Sequence, residues 1–105
     1  MNVKQVKVTE VGPRDGFQSE KTVLKTEDKV DIINHLIKAG FQRIEVSSFV
    51  SPKAIPQLAD AATILENVKR NSNATLAALV PNAKGALRAV DAKLDEIVVF
   101  LSASE

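Results

Sequence analysis

The sequence predicts an α/β fold built on a parallel sheet, in the order βαβαβαβ. Three observations carry this. Four apolar runs of strand length alternate with three stretches of helical period. The last two runs, 75–80 and 97–101, are almost unbroken in apolar residues, as strands covered on both faces are. Every run is followed by polar residues, and in parallel sheets ligands bind at the carboxyl ends of strands.

The first strand is read at 6–11, where Val6, Val8 and Val11 stand among polar residues. A polar loop follows over 12–25. Thr26 suits an N-cap, since its hydroxyl can accept from a free first-turn amide. Glu27 and Asp28 then sit at the positive end of the helix dipole. Val30, Ile33 and Ile37 share a stripe with Leu36 beside them, and Gly40 is a natural residue to close the helix, read as 26–39. The second strand is 43–47. Pro56 suits the first position of the second helix, where its missing N–H costs nothing. Leu58, Ala61, Ala62, Leu65 and Val68 form that helix's apolar face, and Asn71, Ser72 and Asn73 end it. Strand three is 75–80. Asn82 caps a third helix running to about residue 92 and burying Leu87 and Val90. Strand four is 97–101, and 102–105 is a tail.

Parallel strands joined through helices require right-handed crossovers. Two closures fit: an open doubly wound sheet, or an arc of an eight-stranded barrel, which typically needs about 250 residues. A length of 105 residues favours the open sheet if the chain is complete. The polar groups after the strands favour the barrel, because Arg14, Asp15 and Gln18, Ser47 and Ser48, Asn82, and Ser102 and Ser104 would then ring one mouth.

Composition narrows the classes. Apolar residues make up 45% and charged ones 26%, as in an ordinary soluble domain. A net charge of +1, with no basic cluster in sequence, argues against a nucleic-acid partner. No apolar run is long enough for a membrane span. The first residues lack an apolar leader core, which fits a cytoplasmic location. The absence of cysteine excludes disulfides, thiolate metal sites and a cysteine nucleophile within these 105 residues.

Two places carry chemistry. Arg14 and Asp15 lie between Pro13 and Gly16 on a constrained turn at a strand tip. A guanidinium beside a carboxylate suits a cation and an anionic oxygen held at one point, although the dipeptide alone reads equally well as a surface ion pair. Glu45 sits between Ile44 and Val46 inside the second strand. Unless it lies on an exposed edge, it needs a cation, an arginine or a proton, because an unpaired buried carboxylate is costly. Asp15 and Glu45 are one βα repeat apart, which places them on adjacent strands. His35 falls on a helix surface. Ser102 and Ser104 have no nearby base.

The run Thr9-Glu10-Val11-Gly12-Pro13-Arg14-Asp15-Gly16-Phe17-Gln18-Ser19-Glu20 resembles the opening motif of the 3-hydroxy-3-methylglutaryl-CoA lyases. Ile44-Glu45-Val46-Ser47-Ser48-Phe49-Val50-Ser51-Pro52-Lys53 is similar to their second-strand motif, and Pro56-Gln57-Leu58-Ala59-Asp60 continues it. Val80-Pro81-Asn82-Ala83-Lys84-Gly85 and Phe100-Leu101-Ser102-Ala103-Ser104-Glu105 match the next two strand ends. The wider group takes in Claisen-type synthases and pyruvate carboxyltransferases, which usually carry Leu-Arg-Asp-Gly; Pro13 tips the resemblance toward the lyases.

The resemblance implies the first half of a TIM (β/α)8 barrel, truncated after the fourth strand, with 1–105 as the N-terminal part of one catalytic domain. It implies a metal-dependent retro-Claisen cleavage of 3-hydroxy-3-methylglutaryl-CoA to acetyl-CoA and acetoacetate. Asp15 would ligate a divalent cation, Mg²⁺ or Mn²⁺, as hard ions prefer oxygen. Arg14 and Glu45 would be catalytic, Arg14 steadying the enolate oxygen and Glu45 supporting Arg14. Gln18, Ser47 and Asn82 would contact substrate. The partner implied is an acyl-CoA, in a homo-oligomer. Lys53 and Lys84 read first as solvated lysines, with a contact to the CoA phosphates as the alternative for either. The family's His-x-His ligand pair and its glycine-rich cysteine loop have no counterpart here and are expected beyond Glu105, so the chain alone should be inactive, and as a half-barrel it should self-associate. Lys93 stands where the family pattern has glycine and should alter that turn. Phe17, Ser19 and Leu101 are further departures.

Overall fold

A computed structural model describes residues 5–71, 73–101 and 103. Three parallel strands, β1 (Arg43–Ser48), β2 (Thr75–Leu79) and β3 (Glu96–Val98), lie in that order. Helices α1 (Thr26–Lys38), α2 (Ala61–Asn67) and α3 (Ala83–Asp91) connect and cover them. Arg43 pairs with Thr75 and Ala77 with Glu96. A bulge falls in β1 between Glu45 and Ser47, so Glu45 faces Ala77 while Ser47 faces Ala78. The core joins α1 (Ile33), β1 (Ile44, Val46), α2 (Ile64) and β2 (Leu76, Ala78).

The first strand expected at 6–11 is reduced to one bridge, Glu10 to Ile44. Its backbone bonds run from Glu10 N to the Arg43 carbonyl (3.0 Å) and from Glu45 N to the Glu10 carbonyl (2.9 Å). Among the described residues nothing covers Val6 and Val8, which stand 84% and 69% exposed. Strand four is also shorter than expected. Its last rung is Val80 N to the Val98 carbonyl at 2.9 Å, because Pro81 and Asn82 then turn the chain into α3 and β2 offers nothing further. Ser102 and Ser104 lie outside the described residues.

Helix α1 follows the apolar stripe: Val30, Ile33 and Ile37 are buried. Its end is a Schellman motif, with Phe41 N bonded to the Leu36 carbonyl, Gly40 N to that of Ile37, and Gly40 at φ 99°. Its start differs from the expectation. Thr26 is already helical, Lys25 precedes it as the cap, and the Thr26 hydroxyl donates to Asp60 Oδ2 at 2.6 Å. Pro56 opens a 3₁₀ turn (Pro56–Leu58), and α2 begins only at Ala61, because Asp60 at φ −101°, ψ 23° interrupts the helical path. α2 also ends earlier than the asparagines suggested, where Val68 becomes extended, buries its side chain and leaves Lys69 N bonded to Asn34 Oδ1.

Helix α3 is capped by Asn82 as expected, its Oδ1 accepting from Gly85 N at 2.8 Å. Leu87 and Val90 are not buried but 69% and 72% exposed. The reason is close approach: a Cβ on Gly85 would stand 2.8 Å from the Phe49 carbonyl oxygen. The helix therefore lies on the sheet through Gly85 and Ala89, and its larger residues fall on the opposite flank. Lys93 holds the left-handed turn at φ 59° with both Schellman bonds made, so the turn is kept without glycine. Arg70 steadies it by donating to the carbonyls of Lys93 and Ala92. At this same amino-terminal end of the sheet Arg43 donates twice to Glu96 Oε1, and this bonding and charge hold the Glu96 carboxyl below its ordinary value. No helix among the described residues is long and apolar enough to cross a membrane.

Candidate active site

The segment after the first strand is a five-residue π-helical turn, Gly12–Gly16, rather than an irregular loop. Pro13 starts it and is buried; Asp15 N bonds to the Val11 carbonyl at 2.7 Å. Glu10 ties the entry down, its Oε1 accepting from Gly12 N at 2.9 Å. π-Turns are rare and recur at functional sites. This one places Arg14 and Asp15 at the tip of the first strand, beside β1.

The Arg14 guanidinium then reaches Glu45. Its Nε donates to Glu45 Oε1 at 2.7 Å, and its Nη1 lies 3.4 Å from Asp15 Oδ1. Exposure sorts the three groups: the Glu45 side chain is 7% exposed, that of Arg14 15% and that of Asp15 65%. The buried carboxylate anchors the cation and the exposed one faces solvent. Of the partners expected for Glu45, an arginine is the one found. The bulge beside Glu45 belongs to the same arrangement, since bulges re-aim side chains near sites.

The other expected contacts are less closely gathered. Gln18 is half-buried on the turn after Gly16. Ser47 is fully buried, and its Oγ has no hydrogen-bond partner among the described residues. Asn82 is exposed, with its side-chain oxygen committed to capping α3. Ser48 Oγ accepts from Val50 N at 3.2 Å and shapes the loop after β1. His35 lies exposed on α1, its Nδ1 2.6 Å from the Asp31 carbonyl.

For a divalent cation, Asp15 fits as one oxygen ligand: it is exposed, and among the described residues its side chain bonds only to Arg14, at a long 3.4 Å. No group of three or more His, Cys, Asp or Glu side chains converges among the described residues. Among the described residues, then, Asp15 could supply one ligand of such a site, and no complete set gathers.

Sequence reading missed a buried cluster between α1 and the segment that leads into α2. Lys29 is 1% exposed, and its Nζ donates to the Gln57 carbonyl (2.5 Å) and to Asp60 Oδ1 (2.9 Å). A signal was available, since Lys29 precedes Ile33 by four residues and so falls on the apolar stripe of α1.

A family model described as HMGL-like matches residues 5–105. Over 102 residues the chain is 48% identical to a mitochondrial hydroxymethylglutaryl-CoA lyase of Arabidopsis thaliana, covering 97% of this chain and 22% of that protein. It is 47% identical to a hydroxymethylglutaryl-CoA lyase of Bacillus subtilis, covering 97% of this chain and 34% of that one. The structure of an HMG-CoA lyase from Acinetobacter baumannii, in complex with coenzyme A and 3-methylmalate, superposes with a TM-score of 0.92 at 47% identity, over 99% of this chain and 35% of that one. Such neighbours are TIM barrels, and the chain spans between about a fifth and a third of these relatives' lengths.

Proposed function

The chain belongs to the HMGL-like family, and from that membership we propose that residues 1–105 form the N-terminal part of one TIM-barrel catalytic domain, a carbon–carbon lyase cleaving 3-hydroxy-3-methylglutaryl-CoA to acetyl-CoA and acetoacetate. The observation that carries this reading is the Arg14 guanidinium held at 2.7 Å by buried Glu45, with exposed Asp15 next to it.

Each residue has a physical task. Glu45 takes Nε of Arg14, which fixes the plane of the guanidinium and leaves its Nη groups to meet negative charge. Arg14 then steadies the oxygen that becomes an enolate as the C–C bond breaks; donors fixed before the reaction are the strongest source of such stabilisation. Asp15 offers one oxygen to a divalent cation, Mg²⁺ or Mn²⁺. When bound, that ion polarises substrate oxygen as a Lewis acid. Gln18 and Asn82 line the approach to substrate. Ser47 supplies a buried hydroxyl at this end of β1 that has no partner among the described residues. The base that takes the tertiary hydroxyl proton and the remaining ligands lie outside these residues. The reading includes an acyl-CoA as partner, a homo-oligomeric full-length enzyme and a cytoplasmic location.

The test is acetoacetate release from 3-hydroxy-3-methylglutaryl-CoA by the full-length protein that carries this segment. Activity should require Mg²⁺ or Mn²⁺, and Arg14→Met should lower kcat by at least about 10²- to 10³-fold. The isolated 105-residue chain should bind Mn²⁺ weakly, seen as enhanced water-proton relaxation lost in Asp15→Ala, and should release no acetoacetate. A full-length protein that is inert toward this substrate, or is unaffected by loss of Arg14, overturns the assignment.

A further inference from the structure

We infer that Lys29 is a positioning residue that sets the site's first two loops relative to each other through a relay of hydrogen bonds that starts at its buried ammonium. The relay can be followed atom by atom. Lys29 Nζ donates to Asp60 Oδ1 at 2.9 Å, and Thr26 Oγ1 donates to Asp60 Oδ2 at 2.6 Å. These bonds join α1 to the residue that caps α2. Lys29 Nζ also donates to the carbonyl of Gln57, in the 3₁₀ turn that ends the loop after β1. Gln57 passes the constraint on: its Nε2 donates to the carbonyl of Glu20 at 3.2 Å, 37 residues away in sequence. Glu20 closes the segment that begins at the π-turn, through Glu20 N to the Phe17 carbonyl and Ser19 N to that of Asp15. One buried ammonium thus connects the loop after β1 to the loop holding Arg14 and Asp15.

Stability alone does not explain a charge in this place. Lys29 is 1% exposed and lies on the apolar stripe of α1, where a leucine or methionine would be the plain choice. Buried ion pairs exchanged as a unit for apolar residues of similar size commonly leave a protein as stable or more so, because desolvation offsets the attraction. Directional bonds offer what apolar contact does not, a fixed distance between the groups joined. Reacting groups displaced by about 1 Å lose roughly a hundredfold in rate, so a fixed spacing between these loops matters to a site assembled from both. The inference rests on the lyase reading only for the use made of the loops; the relay itself rests on the bonds.

Two variants of the 105-residue chain test it. Thr26→Val/Lys29→Met/Asp60→Leu replaces the whole buried cluster by apolar residues. Gln57→Ala leaves the cluster intact and cuts only the link to Glu20. Hydrogen exchange of the Ser19 and Glu20 amides should quicken about tenfold in both, the scale of one lost hydrogen bond, while the urea midpoint of Gln57→Ala stays at the wild-type value. Mn²⁺ affinity at Asp15 should fall by a similar factor. Unchanged exchange at Ser19 and Glu20 in either variant overturns the relay, as does faster exchange that merely follows a general loss of stability in Gln57→Ala. A wild-type chain with no Mn²⁺ effect removes the metal reading and leaves the exchange result to decide the relay.

Discussion

Replacing Arg14 by methionine should cost more stability than replacing Glu45 by glutamine, although both changes break the same 2.7 Å bond. At about 4 Å between charge centres and an effective dielectric near 20, the pair attracts by about 4 kcal/mol. Desolvation offsets much of that, leaving a coupling of about 2 kcal/mol. The single changes differ because of what each leaves behind. Without Arg14, Glu45 remains a carboxylate only 7% exposed with no cation, which is costed at about 3 kcal/mol, the lower end for a broken buried pair. Without the Glu45 charge, Arg14 is 15% exposed, can still bond the glutamine oxygen and can turn toward Asp15, so the loss is about 1–2 kcal/mol. Urea unfolding at one fixed protein concentration, with both single variants and the double, gives all three numbers. A change of 3 kcal/mol moves the midpoint by about 1–3 M. The reasoning fails if Arg14→Met lies within 0.5 kcal/mol of wild type (about the scatter for neutral surface changes), or if Glu45→Gln is the more damaging of the two.

The buried cluster and the helix contact give further expectations. Lys29→Met alone should destabilise by about 3–5 kcal/mol, since it leaves Asp60 and the Gln57 carbonyl without their cation; a loss below about 1 kcal/mol in thermal or urea unfolding would contradict the burial. Gly85→Ala should destabilise by about 1–3 kcal/mol despite alanine's better helix propensity, because the new methyl meets the Phe49 backbone carbonyl at 2.8 Å. A circular-dichroism melt showing a stabilised variant would mean that α3 does not sit against the end of β1.

Much of the site was legible because its parts are local. Pro13 and Gly16 announced a turn, and a carboxylate among Ile44, Glu45 and Val46 announced a buried charge in need of a partner. The stripe of α1, the cap at Asn82 and the close at Gly40 follow from short-range periodicity and capping chemistry, which the chain carries residue by residue. Other features depend on what the chain meets in space. Leu87 and Val90 read as a buried face, yet Gly85 and Ala89 are the residues that approach the sheet. Val6 and Val8 have strand patterning but no pairing neighbour among the described residues. Thr26 suits a cap by its chemistry, but Asp60, 34 residues on, takes its hydroxyl.

The amino-acid order by itself determined the alternation of strands and helices, the family resemblance and the residues able to hold opposite charges, because periodicity, turn chemistry and residue type are properties of neighbours along the chain. The tertiary structure alone decided which oxygen meets which nitrogen: Glu45 on Arg14, Asp60 on Lys29 and Thr26, Gln57 on Glu20. The reason is that such bonds need both partners fixed within about 3 Å of each other, and that spacing arises from the packing of whole elements.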